Sequence, residues 1–415
     1  MSTTLVPKYM PITLNMQIDV KSIFDSDANV KLTNSIDYPK CSFGFHHYIH
    51  SLKKDTEVIK QFENKKKVYL VTNKFEVEVD KYDNSIKNET NKFLSIADKT
   101  IISNDFYKLW EIMFMFDLFD INLPIKSAHF LEDGSNIQSL SYFREKFSKD
   151  AKTDKYFISK QKENIKTEDG RSQLGNNKKI VETDLVNTKE KIDFITIGSG
   201  FGYHDDNENI IEQEYHVPCL ENIINAVKIQ KKGGSLVIKI FETFTDVNAK
   251  IFSILISLYD RVFIIKPMTS VPSTSEKYLV CSGFKYSDTT GIAKKLDSIY
   301  SVVQKNQKLK LCDLFIDHHI DRKLRVRIIK MNELVSNQLF KSLGEIVNFI
   351  NAQDYYGDTY EKYRDEQINA NNFWVETFLP DPKNYKETKK RITDASFLTN
   401  KINVDDAINL ERKIQ

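Results

Sequence analysis

Between residues 192 and 284 the chain alternates short apolar runs with amphipathic stretches, and no other feature limits the available folds as strongly. Ile192 to Ile197 is an apolar run of strand length. Leu220, Ile223, Ile224 and Val227 then recur at helical spacing, and Lys232-Gly233-Gly234 reads as the helix stop. Ser235 to Phe241 follows as a buried strand. Thr245 or Asp246 caps a helix marked by Val247, Ile251, Ile254, Leu255 and Leu258, and two further strands run from Arg261 to Lys266 and from Tyr278 to Phe284. Parallel strands need crossover connections, and both faces of such a sheet must be buried. The pattern therefore predicts an α/β fold with a mostly parallel sheet covered by helices on both sides.

A chain of 415 residues exceeds what one hydrophobic core sustains, so additions at both ends are expected. The reading is an N-terminal accessory α+β region over 1–95, a central domain over 96–286 and a helical C-terminal extension over 287–415. With 60 Lys and Arg against 58 Asp and Glu, the net charge is only +2, so any affinity for nucleic acid must come from local patches. Hydrophobic residues at 40% and aromatics at 12% exclude a largely disordered chain. Cys41, Cys219, Cys281 and Cys312 lack metal-ligand spacing and read as buried free thiols. No apolar run reaches spanning length and no leader pattern opens the sequence, which gives the expectation of a cytoplasmic protein without a membrane partner. The frequent Lys, Asn and Ile suggest an A+T-rich genome.

Outside the central stretch, Val68-Tyr69-Leu70-Val71 and the alternating Phe75-Glu76-Val77-Glu78-Val79 read as a pair of strands. Ser103 or Asn104 caps a helix that carries Phe106, Leu109, Met113 and Phe116 on one face, and Ala128 to Leu131 is a strand. The Lys-rich segment from Ala151 to Lys179 reads as a surface excursion apart from Tyr156-Phe157-Ile158. His46, His47 and His50 have no carboxylate or thiol at matching spacing, and Asp317-His318-His319 sits among basic residues, so no metal site is expected from either. Leu339, Leu343, Ile346, Val347 and Ile350 form the apolar stripe of a late helix, with Phe373-Trp374-Val375 as an aromatic anchor.

Three segments in fixed order carry a resemblance. Lys232-Gly233-Gly234-Ser235-Leu236-Val237-Ile238-Lys239-Ile240-Phe241, then Ile265-Lys266-Pro267-Met268-Thr269-Ser270, then Ser275-Glu276-Lys277-Tyr278-Leu279-Val280-Cys281 resemble the FtsJ-like RNA ribose 2′-O-methyltransferases. The particular likeness is to the mRNA cap 2′-O-methyltransferases of eukaryotes and large DNA viruses, and it extends over about Ser103 to Lys285. It implies a Rossmann-like fold, S-adenosylmethionine as cofactor and capped RNA as partner, in a viral factory or virion if the source is viral. It also implies a catalytic tetrad of lysine, aspartate, lysine and glutamate, whose members here are Lys108, Lys239 and Glu276. The aspartate position falls on Gly198 in Thr196-Ile197-Gly198-Ser199-Gly200. The cofactor loop, Glu-x-Pro-Gly-Gly-Phe in the family, falls on Glu132-Asp133-Gly134-Ser135-Asn136-Ile137, without the proline, with Ser135 and Asn136 at the glycine positions, and without the aromatic.

These departures set the functional expectation. Glycines let backbone amides approach a cofactor closely, and a lysine takes a proton from a ribose hydroxyl only if its pKa is lowered. With Gly198 in the tetrad, Lys108 and Lys239 are expected to share Glu276 alone and to leave a net positive cluster. Three functions follow from the resemblance: a noncatalytic RNA-binding or stimulatory partner in mRNA capping or transcription, an active cap 2′-O-methyltransferase in which Asp205, Asp206 or Asp133 supplies the carboxylate, and a structural component of a transcription complex or virion.

Overall fold

A computed structural model describes residues 9–35, 37–76, 101–131, 133–159, 177–185, 188–198 and 208–399. The strands are β1 (Ile12–Asn15), β2 (Val30–Thr33), β3 (Lys126–Phe130), β4 (Lys155–Ser159), β5 (Ile180–Thr183), β6 (Ile192–Ile197), β7 (Gln230–Ile240), β8 (Tyr259–Lys266), β9 (Lys277–Phe284) and β10 (Lys310–Leu314). The helices are α1 (Phe43–Leu52), α2 (Asp105–Met115), α3 (Ser135–Phe147), α4 (Glu208–Ile229), α5 (Asp246–Leu258), α6 (Thr290–Lys305), α7 (Arg322–Ala352), α8 (Asp358–Phe378) and α9 (Tyr385–Thr399).

Eight strands form one sheet in the order β1-β8-β9-β7-β6-β3-β4-β5. From β5 to β7 neighbouring strands are parallel, whereas β9 runs antiparallel to both β7 and β8. The chain winds outward from β3 to β5, then returns to place β6 on the other side of β3. That reversal opens a crevice at the carboxyl ends of β3 and β6, where open α/β sheets bind their ligands. This is the Rossmann-like arrangement of S-adenosylmethionine-dependent methyltransferases that the resemblance implies.

Alternation along the strands buries both faces. Ile195 and Leu236 enter a core with α4, α5 and α6, while Phe194 and Val237 enter a second core with α2, α3, α8 and α9. The helix α2 is buried on every side, Lys108 and Glu111 included, because it lies between the sheet and the C-terminal helices. Both indoles of the protein join that seam, with Tyr107 packing edge-on against Trp374 at 5.4 Å and Trp110 Nε1 donating to the Phe378 carbonyl at 2.8 Å.

Several expectations need correction. Val68–Thr72 is a 3-10 helix, not a strand: its Tyr69 and Val71 pack against Phe349 and Ile350 of α7, and among the described residues no strand pairs with it. Phe75 and Glu76 lie outside any strand, and residues 77–79 fall outside the described residues. The helix α4 ends at Ile229, and Gly233, with φ +82°, belongs to a bulge at the start of β7 where the pairing with β6 shifts register. Strand β1, from the N-terminal region, extends the main sheet beside β8, and β2 pairs with β10 from the C-terminal region in a separate two-stranded antiparallel sheet. Beyond residue 287 the described residues hold the helices α6 to α9 together with the strand β10, with Leu339, Leu343, Ile346 and Ile350 buried, and the four cysteines are buried free thiols.

Candidate active site

The residues Lys108, Lys239 and Glu276, far apart in sequence, meet at the carboxyl end of β7. Lys239 stands one residue before the end of that strand, Glu276 immediately precedes β9, and Lys108 projects from α2 across both. A fourth side chain joins them that the sequence reading did not single out. Asp105, in the first turn of α2, accepts from Lys108 Nζ at 2.8 Å through Oδ1 and from Lys239 Nζ at 2.8 Å through Oδ2. Glu276 completes the ring, its Oε2 accepting from Lys108 at 2.7 Å and its Oε1 from Lys239 at 2.7 Å.

The expected net positive cluster is therefore incorrect. Two ammonium groups and two carboxylates alternate around a closed ring, and the formal charge cancels. Lys108 is not a solvated helix lysine either, since its side chain keeps only 7% exposure. A buried charge is tolerated only where its partners are in place, and here each lysine touches both acids. Tyr278 adds its hydroxyl to Glu276 Oε1 at 3.2 Å, and Ser270 Oγ donates to Glu276 Oε2 at 3.0 Å.

The ring sets the ionisation of its members. Burial disfavours a charged Asp105 or Glu276, but Lys108 and Lys239 outweigh it and hold both carboxyls below their ordinary range, Glu276 well below. Burial likewise disfavours a charged Lys239, and Asp105 and Glu276 more than reverse this, so its pKa is raised. Lys239 is thus held as an ammonium ion, the wrong form for a base that must accept a proton.

Gly198, which the resemblance sets at the family's aspartate position, directly follows β6, its N–H donating to the Phe130 carbonyl at 2.9 Å. A Cβ built there would overlap the carbonyl oxygen of Leu131, whose own backbone adopts φ +52°. The two strand ends close on each other, leaving no room for a side chain. Of the alternative carboxylates, Asp205 and Asp206 fall outside the described residues, and Asp133 is engaged elsewhere.

Asp133 turns onto the start of α3. Its Oδ1 accepts from Ser135 N at 2.8 Å and from Ser135 Oγ at 2.5 Å, while Gly134, with φ +102°, carries the chain into the helix. The Ser135 side chain is fully buried beneath this turn. The amide at the first helical position, where a helix N-terminus receives an anion or a polar cofactor group, is already occupied by an acid of the same loop. Asn136 is half-buried at the second helical position, and Glu132 falls outside the described residues. These residues do not fit S-adenosylmethionine in the way a glycine loop does.

Two further buried polar constellations lie outside the tetrad. His129 on β3 lies between Ser127 Oγ at 2.8 Å and Thr196 Oγ1 at 2.7 Å, and burial pushes its imidazole down to about 3, so it is neutral. Glu111, one turn beyond Lys108, accepts from Met268 N at 2.7 Å, from Thr269 N at 3.0 Å and from Trp374 Nε1 at 3.1 Å. Neither was singled out from sequence. The signal for Asp105 and Glu111 was their placement three residues either side of Lys108 in an otherwise apolar helix. Among the described residues, no group of side chains is arranged to hold a metal ion.

Comparison with known proteins agrees with this geometry. Residues 144–284 match the model of the FtsJ-like methyltransferase family. The cap-specific mRNA (nucleoside-2′-O-)-methyltransferase 1 of Homo sapiens is 28% identical over 174 residues, covering 40% of this chain and 20% of that protein. The protein of the same name from Drosophila melanogaster is 30% identical over 169 residues, with the same coverage. The matched segment thus spans about a fifth of the length of these curated relatives. A class I S-adenosylmethionine-dependent methyltransferase structure from Listeria monocytogenes aligns over 62% of this chain and 98% of its own, at 12% identity and a TM-score of 0.32. The winding of the sheet and the family match together place an FtsJ-like methyltransferase domain in the central part of this chain, similar over 40% of the chain to the cap-specific mRNA (nucleoside-2′-O-)-methyltransferases.

Proposed function

We propose that this FtsJ-like domain does not transfer methyl groups and serves as a stimulatory or scaffolding partner in mRNA capping or transcription. The observation that carries the reading is the Asp133 turn: the loop that would cradle the methyl donor spends the Ser135 amide on its own carboxylate and fills the space beneath with the Ser135 side chain. The charged state of Lys239 points the same way. Capped mRNA, which the relatives' names give as their substrate, remains the ligand class for this chain. Contacts to it would fall outside the tetrad, since both tetrad lysines are neutralised. The test is transfer of labelled methyl from S-adenosylmethionine to a capped RNA. No transfer is expected from the protein alone, and addition of the protein to an active capping enzyme should raise that enzyme's rate.

One observation favours a second reading, an active cap 2′-O-methyltransferase. The tetrad keeps its family composition of two lysines and two carboxylates, with Asp105 in place of the absent aspartate. In that reading substrate binding would displace Asp105 from Lys239 and free the amine to act as base. S-adenosylmethionine would supply the methyl group. Transfer by the wild-type protein that is lost in Lys239→Met would establish this reading in place of the first.

A further inference from the structure

Glu111 sits at a junction that the tetrad chemistry does not use. Its carboxylate is fully buried, and among the described residues it forms no ion pair. It gathers four donors instead. Met268 N and Thr269 N come from the start of the loop between β8 and β9, Thr269 Oγ1 lies at 2.6 Å, and Trp374 Nε1 comes from α8. The same loop ends in Glu276. Between its ends, Lys266 Nζ fills the loop, donating to the carbonyls of Val271 at 3.1 Å, Thr274 at 2.7 Å and Glu276 at 3.1 Å. Helix α2 therefore grips this loop twice, through Glu111 at its start and through Lys108 at Glu276. Only the first grip also holds the C-terminal layer.

We propose that Glu111 is a positioning residue that couples the C-terminal helices to the tetrad, holding the Pro267–Ser275 loop, and with it Glu276, between α2 and Trp374. A ligand or partner that shifts α8 would then reset the carboxylate that neutralises Lys108 and Lys239, whether or not the domain transfers methyl groups.

The coupling has a signature in pH. Burial, opposed by the hydrogen bonds from Thr269, Met268 and Trp374, raises the Glu111 carboxyl to about 7. When the loop opens, the carboxyl meets water and ionises in the ordinary range. Ionisation therefore favours opening, and the opening constant rises about tenfold between pH 6 and pH 8. On α2 and the loop side, Asp105 and Glu276 are depressed and Lys239 is raised. Lys108 and Lys266 are bound to Glu276 and to the loop carbonyls. The buried α8 positions beside Trp374, namely Ala370, Asn371, Thr377 and Phe378, carry no titrating group.

The experiment is hydrogen exchange of the Met268 and Thr269 amides in the full chain, corrected for intrinsic rates, at pH 6 and pH 8. Wild type should show the tenfold rise and Glu111→Gln should not. At pH 6, Trp374→Phe should speed exchange of these amides several-fold, whereas Trp110→Phe, which loosens the same seam away from Glu111, should leave them unchanged. A flat wild-type profile overturns the proposal, as does an equal effect of the two tryptophan variants. Should a variant fail to fold, the wild-type pH profile still decides.

Discussion

Lys239 and Asp105, 134 residues apart in the chain, form a 2.8 Å ion pair at the carboxyl edge of the sheet. Through it the site acquires a carboxylate from α2 where its family takes one from the end of a strand. The replacement balances charge and keeps that lysine protonated. Removing Asp105 leaves two buried ammonium groups on one acid. Asp105→Asn should cost about 2–4 kcal/mol in urea unfolding, toward the low end of what breaking a buried pair costs because the Asp105 side chain keeps 22% exposure. In a double-mutant cycle, adding Lys239→Met should recover part of the loss. Additive costs would contradict the pairing.

Restoring the family aspartate should fail for a steric reason. A Cβ at Gly198 would overlap the Leu131 carbonyl, so Gly198→Ala and Gly198→Asp should each lose at least about 1–3 kcal/mol through forced backbone displacement. Neither should gain methyl transfer. A Gly198→Asp protein as stable as wild type, by thermal unfolding, would show that the strand ends can part.

Because the tetrad lysines are paired internally, they release no counterions when RNA binds. The slope of log affinity against log salt for a capped oligonucleotide should be the same in wild type and in Lys239→Met. A slope flatter by about one unit in the variant would give the lysines a phosphate contact, as a net positive cluster of the kind expected from sequence would make.

The acid response follows from the signs of the shifts. Asp105 and Glu276 are depressed in the folded state. Their stabilisation is fully present above the ordinary carboxylate range, about pH 4, and is lost as pH falls through their folded values. Glu111 acts oppositely, because its raised carboxyl makes the fold more stable as pH drops from about 7 toward 4.5. Between pH 8 and pH 5 the buried His129 and His216, both pushed down to about 3, oppose Glu111, because neutral imidazoles lose stability as pH falls through their ordinary range. The Glu111 contribution is therefore read as a difference: the urea stability of wild type relative to Glu111→Gln should rise from pH 8 to pH 5. Below pH 4 wild type should lose stability, and Asp105→Asn should soften that fall. A wild-type minus Glu111→Gln difference that stays flat with pH would assign no titration to Glu111.

Much of this fold was legible because period-2 and helical periodicity are local. The runs at 192–197, 235–241 and 278–284 became β6, β7 and β9, and the order of the lysine and glutamate segments identified the carboxyl edge. What stayed hidden was three-dimensional. Val68–Thr72 has strand composition, but its environment, the face of α7, decided otherwise. Asp105 reads as an ordinary first-turn acid, favourable near a helix N-terminus, until β7 brings Lys239 beneath it. Gly198 reads as a simple loss of aspartate, whereas its close approach to Leu131 shows that the surrounding backbone no longer admits one. Glu111 stands in an apolar helix without any sign in sequence of the loop and indole that satisfy it.

The central claim is that the cofactor loop has closed on itself, and isothermal titration of the wild-type protein with S-adenosylmethionine tests it most directly. The Asp133 and Ser135 arrangement predicts no saturable heat at cofactor concentrations up to the millimolar range. Parallel titrations of Asp133→Ala and Ser135→Gly would show whether opening the turn restores any affinity. Stoichiometric binding by the wild-type protein with micromolar affinity would contradict the account and make the active methyltransferase the correct reading.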